Sequence, residues 1–173
     1  YNISDDETPK SFRDTVNGPY SAQWKMAIDE ELRSLQKNKT WRSVPRRTIP
    51  AGAKPIRTKW VFKIKRDANG KVIRFKARLV VCGYVQRYGR DYDETFAPVA
   101  SAATIRLVFA LAAARGLTLS QHDIATAFLY GVLPEHQRVY LTCPQGVSIP
   151  GGHVLEALRG IYGLKQSPRL FNE

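Results

Sequence analysis

Two alternating runs separated by a turn limit what this chain can fold into more than any other stretch. Lys59-Trp60-Val61-Phe62-Lys63-Ile64-Lys65 alternates strictly, Asp67-Ala68-Asn69-Gly70 carries a turn signal, and Val72 to Cys82 alternates again. Period-two patterning on both sides of an Asn-Gly pair predicts a β-hairpin. With Asn69-Gly70 as a two-residue loop, Ile64 faces Phe75, Phe62 faces Ala77 and Trp60 faces Leu79, which makes one apolar face. The same register sets Lys65 opposite Arg74 and Lys63 opposite Lys76, with Val61 beside Arg78, so the other face is cationic. Like charges directly opposed across two strands destabilise the pair. That face is therefore expected to meet an anion, either a nucleic-acid backbone or a nucleotide triphosphate, with Lys and Arg as donors. The competing reading is that long side chains splay into water, which is common for a few charges and less persuasive for five on one face.

Composition supports a folded basic surface. The 173 residues are 43% apolar, enough for the core of one ordinary domain or of two small lobes. Net charge is +12, yet residues 42 to 90 hold 15 Lys or Arg against Asp67 alone, so the remainder is slightly acidic. Trp60, Phe62, Ile64 and Phe75 interleave with those cations and favour an anion-binding face over a disordered tail. Cys82 and Cys143 form no Cys-x-x-Cys pair, and His122, His136 and His153 lack metal-ligand spacing. A reducing, intracellular compartment fits best. No signal peptide is visible, and no apolar run approaches the ~20 residues that span a bilayer, so no membrane partner is expected. The chain starts at Tyr1, and Leu170 to Glu173 reads as a helix cut short; a fragment at both ends is expected.

Taken in order, residues 1–20 read as a polar, extended or mobile lead-in without chemistry. Trp24, Ile28, Leu32 and Leu35 recur at helical spacing and predict a helix over 21–37, with Ser21 as N-cap, Asp29, Glu30 and Glu31 on its exposed side, and Asn38 as its stop. Trp41 to Val44 is a short strand before a loop over 45–55. Asp91, Asp93 and Glu94 lack the run of ligands of a calcium loop and are read as a solvated turn or as salt-bridge partners of the hairpin. A second helix is expected from Ser101 as N-cap to Arg115, with Ile105, Val108, Leu111 and Ala112 inward, packed under a sheet, and Gly116 as its stop. Thr118 to Phe128 then places one acid, Asp123, at the end of an apolar strand, and an aromatic residue, Phe128, on the following turn. Such an acid could present a carboxylate to a hard divalent cation, and Phe128 could wall a substrate pocket. The plainer alternative makes Asp123 the cap of a short helix starting at Ile124. Arg138 to Thr142 reads as a strand, Val154 to Leu158 as a short strand or helix, and Ser167 as N-cap with Pro168 at the first position of a final helix.

Seven collinear segments together resemble the reverse transcriptase of copia-type retrotransposons. They are Trp24-Lys25-Met26-Ala27 with Asn38-Lys39-Thr40-Trp41; Lys59-Trp60-Val61-Phe62-Lys63; Lys76-Ala77-Arg78-Leu79-Val80; and Asp91-Tyr92-Asp93-Glu94-Thr95-Phe96-Ala97-Pro98-Val99. Gln121-His122-Asp123-Ile124, Ala127-Phe128-Leu129-Tyr130-Gly131 and Tyr162-Gly163-Leu164-Lys165-Gln166-Ser167-Pro168-Arg169 complete the set. The resemblance implies an α+β, right-hand polymerase architecture, truncated, with fingers over about 21–100 and part of a palm over about 101–173. It implies that Asp123, with the backbone carbonyl of Ile124, binds magnesium or manganese, and that Phe128 lies under the incoming sugar and excludes a 2′-hydroxyl. Lys63 or Lys65, with Arg78, would hold the triphosphate. Lys76, Gly163, Lys165, Ser167 and Pro168 would contact template and primer. His122 stands where the family usually has an apolar residue, which a strand tolerates because neighbours point to opposite faces.

The implied partners are an RNA or DNA template-primer, deoxynucleoside triphosphates and the rest of a Pol polyprotein, in the cytoplasm, in virus-like particles or in the nucleus. Nucleotidyl transfer uses two metal ions ~3.5–4 Å apart and several converging carboxylates. In the family the other carboxylates come from a Tyr-x-Asp-Asp hairpin, whereas the only Asp-Asp pair in this sequence is Asp5-Asp6. The chain alone is thus expected to be inactive. The rival readings are a non-catalytic nucleic-acid-binding module using only the basic hairpin, and a decayed retroelement remnant.

Overall fold

A computed structural model of the chain describes residues 8–173. Its centre is the expected helix and hairpin. Helix α2 (Ser21–Lys37) buries Trp24, Ala27, Ile28 and Leu35, the stripe left by 3.6-residue spacing, against β2 (Thr58–Arg66) and β3 (Val72–Val81). The antiparallel register pairs Trp60 with Leu79, Phe62 with Ala77, Ile64 with Phe75, Lys63 with Lys76 and Lys65 with Arg74, as the alternation predicts. Trp24 packs edge-on against Phe62 and Phe75, with ring centroids 5.3 and 4.8 Å apart, an arrangement that matches ring edges to ring faces. The turn differs from the two-residue loop. Asp67 O accepts from Gly70 N at 3.1 Å, Asp67 Oδ1 accepts from the N–H groups of Asn69 and Lys71, and the register slips between Lys65 and Arg66. Ala68 and Asn69 are therefore the central turn residues, and Gly70, at φ +79°, absorbs the extra residue in the left-handed region.

The lead-in is more ordered than its polarity suggests. Residues 1–7 of it lie outside the described residues, but Phe12–Asn17 forms a short helix, α1, closed by a capping box between Ser11 and Asp14. Its Phe12 ring lies 6.3 Å from that of Trp60 and its Thr15 is buried, so the segment docks on the core. Helix α2 begins at Ser21 itself, with Tyr20 as N-cap and no side-chain cap, and ends at Asn38 as expected.

A second sheet, ordered β1 (Trp41–Pro45), β5 (His153–Ala157), β4 (Tyr140–Leu141), carries the other core of Ile56, Val81, Leu141, Leu155, Ala157 and Ile161. It draws strands from both sides of residue 100. Glu156 is buried on β5 but is held by Arg42 at 2.5 Å and Arg138 at 3.0 Å, the pairing a buried carboxylate needs. Strand β4 is shorter than the expected 138–142. The final helix, α4, spans Ser167–Asn172 with Gln166 as N-cap, one residue earlier than expected; Ser167 lies inside its first turn, buried, with its hydroxyl donating to Ile161 O at 2.8 Å.

Two expectations fail together. Helix α3 (Ala102–Ala114) forms, with Ser101 Oγ capping Thr104 N at 3.1 Å, but only Ala112 is buried; Leu107 and Phe109 are 60% and 56% exposed, and Ile105, Val108 and Leu111 also face solvent. The segment 117–124 has no regular structure, so Asp123 ends no strand, and it caps no helix either. A strand exists only where neighbours satisfy its N–H and C=O groups, and among the described residues none lies beside this segment. Helix and strand would have buried one another, so losing one exposes the other. Of the two readings of the three carboxylates, the solvated turn holds for the exposed Asp93 and Glu94, and the salt bridges to the hairpin do not form. Asp91 accepts from Arg87 N at 2.9 Å, Asp93 accepts from Gln137 at 2.7 Å and Glu94 pairs with Arg169 at 2.8 Å; none reaches the hairpin. Among the described residues no helix is long and apolar enough to cross a membrane.

Candidate functional site

The turn after Asp123 is built by close backbone approach. Ala125-Thr126 reverses the chain with Thr126 at φ +55°, Leu129 N donates to Thr126 O at 2.8 Å, and the buried Leu129 anchors a single 3₁₀ turn, Ala127–Tyr130. This turns Phe128 toward Tyr162, whose ring lies edge-on 5.2 Å away. Tyr162 is fixed in turn by its carbonyl, which accepts from Val81 N at 2.8 Å, and by Gly163 at φ +91°, where a Cβ would lie 2.1 Å from Val81 O. Arg78 crosses from β3 with its guanidinium carbon 5.5 Å from the Tyr162 ring centroid. Arg78, Tyr162 and Phe128 thus form one wall, a cation stacked on one of two rings.

That wall closes a cavity of about 490 Å³ between α2, the hairpin and 123–128. Asp123, Ile124 and Phe128 line it from one side and Lys65, Lys76 and Arg78 from the other, although Asp123 and Phe128 are more than forty residues from the hairpin in sequence. Arg78 Nε is buried and makes no hydrogen bond among the described residues. A buried donor without an acceptor is costly, and here it is left beside the further cations Lys65 and Lys76. Burial holds the Lys76 ammonium below the usual lysine range, reinforced by repulsion from Arg78, Lys65 and Arg74 and opposed by Glu31. Helix α2 supplies the opposite sign. Glu30 pairs with Arg74, and Glu31 Oε1 accepts from Leu79 N at 3.2 Å on the free edge of β3. Burial raises the Glu31 carboxyl above its usual range, against the pull of Leu79 N–H, Lys76 and Arg78, while Glu30 adds to the rise.

Other residues named from the sequence lie elsewhere. Lys63 projects from β2 outside the cavity lining. Lys165 Nζ donates to Gln86 O and to the Tyr92 hydroxyl, each at 3.3 Å, and sits 4.8 Å over the Tyr92 ring. Ser167 is buried and Pro168 lies in the first turn of α4. These residues, with Gly163, lock the 160–168 segment onto the hairpin and the connector. Tyr162, Glu30 and Glu31 were missed as lining residues. The sequence reads both acids as solvent-facing; Glu30 is exposed as expected, and only the place of Glu31 beside the apolar stripe of α2, next to a cationic strand, could have signalled its partial burial.

As a metal site the cavity offers one aspartate carboxylate and one backbone carbonyl, from Asp123 and Ile124. The described residues contain no group of three His, Cys, Asp or Glu side chains that could hold an ion. One carboxylate with substrate phosphates suits a single hydrated magnesium; it does not hold a pair of ions.

The model of the family described as reverse transcriptase (RNA-dependent DNA polymerase) matches residues 38–173. The chain belongs to this family. Over 169 residues, 96% of the chain, it is 43% identical to the retrovirus-related Pol polyprotein from transposon TNT 1-94 of Nicotiana tabacum, of which it covers 12%. Pol polyproteins from transposons RE2 and RE1 of Arabidopsis thaliana are 36% and 35% identical over 159 residues, 91% of the chain and 11% of each relative. The chain therefore corresponds to the reverse transcriptase region of copia-type Pol polyproteins and spans about an eighth of their length. No solved structure matches it. For a reverse transcriptase chain, the mixed α and β content agrees with the expected fold class at the level of α+β.

Proposed function

We propose that the cavity is the nucleotide-binding half of an RNA-directed DNA polymerase site, and that the chain is the fingers and first part of the palm of a copia-type reverse transcriptase. The observation that carries this reading is the convergence of Asp123, Ile124, Phe128, Lys65, Lys76 and Arg78 on one cavity. Lys65 and Arg78 hold the triphosphate, with the unsatisfied Arg78 Nε as one donor; the position of Lys65 in the lining, and of Lys63 outside it, favours Lys65. Phe128, braced by Tyr162, lies under the sugar and discriminates against a 2′-hydroxyl. Asp123 and the Ile124 carbonyl contribute one share of the magnesium or manganese ligands, and in the whole enzyme the metals would stabilise the attacking and leaving oxygens of the transfer. With that share alone, the chain does not catalyse.

Template and primer are served by a different surface. A second cleft of about 250 Å³, lined by Lys54, Arg57, Arg87 and Arg90 with Tyr84, offers phosphate donors beside an exposed ring, the combination that binds a strand through its backbone and its base faces. Primer extension with magnesium tests the proposal. The chain alone should extend nothing, and robust synthesis from it would refute the account of missing ligands. In a Pol polyprotein carrying this region, Phe128→Ala should raise ribonucleotide incorporation relative to deoxynucleotide, and unchanged discrimination would remove Phe128 from that role.

A further inference from the structure

The carboxylates of α2 face the cations that a polyphosphate would use. Glu31 lines the cavity with Lys65, Lys76, Arg78 and Asp123, and its Oε1 is fixed by the Leu79 N–H at 3.2 Å on the β3 edge, so it cannot swing out to water without leaving that donor unpaired. Its neighbours are Glu30 on its own helix, Lys76, Arg78 and Arg74 on β3, Lys65 on β2, and Asp123 and Tyr162 across the cavity. Glu30 is exposed and already paired with the equally exposed Arg74. Glu31 is the partly buried carboxylate whose charge is felt by the half-buried Lys76 and Arg78, in surroundings where charges are poorly screened.

We propose that Glu31 is the resident counter-charge of the cationic wall: its carboxylate competes with polyphosphate for Lys76 and Arg78, and so sets how tightly the cavity takes a nucleotide triphosphate and releases pyrophosphate. The proposal rests on reading the cavity as a polyphosphate site. It separates two jobs of one side chain. The oxygen that receives Leu79 N–H holds helix to strand, and a glutamine oxygen can do the same; the charge that opposes a polyphosphate belongs to glutamate alone. Burial raises the Glu31 carboxyl, while the Leu79 N–H and the charges of Lys76 and Arg78 pull it back toward the ionised form, which is the coupling to the two cations that the proposal uses.

Inorganic tripolyphosphate, titrated calorimetrically into the chain in metal-free buffer, reads the difference. Glu31→Gln should bind roughly tenfold tighter than wild type at pH 8, and the gap should be narrower at pH 5, because the raised carboxyl takes up its proton earlier in the descent than an ordinary one. Lys76→Gln and Arg78→Gln should weaken binding in both backgrounds. Equal affinities for wild type and Glu31→Gln at both pH values would reduce Glu31 to a tie for Leu79 and overturn the proposal alone. Failure of wild type and Glu31→Gln alike to bind would overturn the polyphosphate reading, and the proposal with it. Should Glu31→Gln not fold, the wild-type chain still decides. Binding and protonation are reciprocal, so saturating tripolyphosphate must raise the Glu31 titration midpoint followed by side-chain carbon NMR, and an unmoved midpoint overturns the competition.

Discussion

Gly163 shows how much of the cavity depends on single atoms. Its φ of +91° and the 2.1 Å that would separate a Cβ from Val81 O leave no room for a side chain, and the obstacle is backbone that cannot turn aside. Gly163→Ala should therefore cost about 3 kcal/mol or more in urea denaturation. It should also free Tyr162, seen as loss of the Arg78 stacking in aromatic NMR shifts. Glu31 gives a second prediction at this scale. Its folded carboxyl is raised, so the folded chain holds that proton more tightly than the unfolded one and ionised Glu31 opposes folding at neutral pH. Stability should rise as pH falls through the raised value toward the ordinary 4.5. Glu31→Gln should then melt higher than wild type at pH 7, with the advantage shrinking as pH falls; a constant difference in scanning calorimetry would contradict the sign. At the scale of residues the sequence was least legible. Lys165 and Ser167 are polar and follow a glycine, so they read as exposed contacts, yet one is turned onto Tyr92 and the other onto Ile161 O by tertiary packing that no local pattern encodes.

The helix α2 and the β2–β3 hairpin were legible because each carries its own period. Apolar residues at 3.6 and at 2.0 spacing specify which face turns inward whatever the rest of the chain does, and even the cross-strand pairs followed, with only the turn shifted by a bulge. The segment 117–124 has the composition of a strand without the partners that make one, and α3, apolar nearly all round, has no cover among the described residues. Hydrogen exchange should divide the chain accordingly, with amides of β2, β3 and α2 protected to the global limit and those of α3 and 117–124 exchanging by local opening. Truncation separates the two regions energetically. Leu79→Ala, at a side chain with 0% exposure, should cost about 2–5 kcal/mol, whereas Leu107→Ala on α3 should change stability by under ~0.5 kcal/mol. Comparable costs at both positions would mean that α3 is packed in solution.

At the scale of the molecule, the charge block at 42–90 divides between two places that the sequence could not separate. Lys65, Lys76 and Arg78 line the cavity with Asp123, facing Glu30 and Glu31, while Lys54, Arg57, Arg87 and Arg90 surround a cleft whose only acid is Asp91. Folding brings the two groups apart because alternation along β3 sends its cations to one side, and the chain beyond Val81 turns away through a 3₁₀ turn at Gly83–Val85. A cavity with three acids facing its cations suits a small polyanion, and a cleft with four cations against the single Asp91, and an exposed Tyr84, suits a strand whose phosphates shed counterions on binding. The two should therefore be separable by mutation. Binding of a fluorescent single-stranded oligonucleotide, followed by anisotropy against salt, should show a steep log-log slope. Arg57→Gln and Arg87→Gln should each reduce that slope by about one while leaving tripolyphosphate affinity unchanged, and Lys76→Gln should do the reverse. If all three variants lower both affinities together, the basic block acts as one diffuse field and the division into a strand cleft and a nucleotide cavity fails.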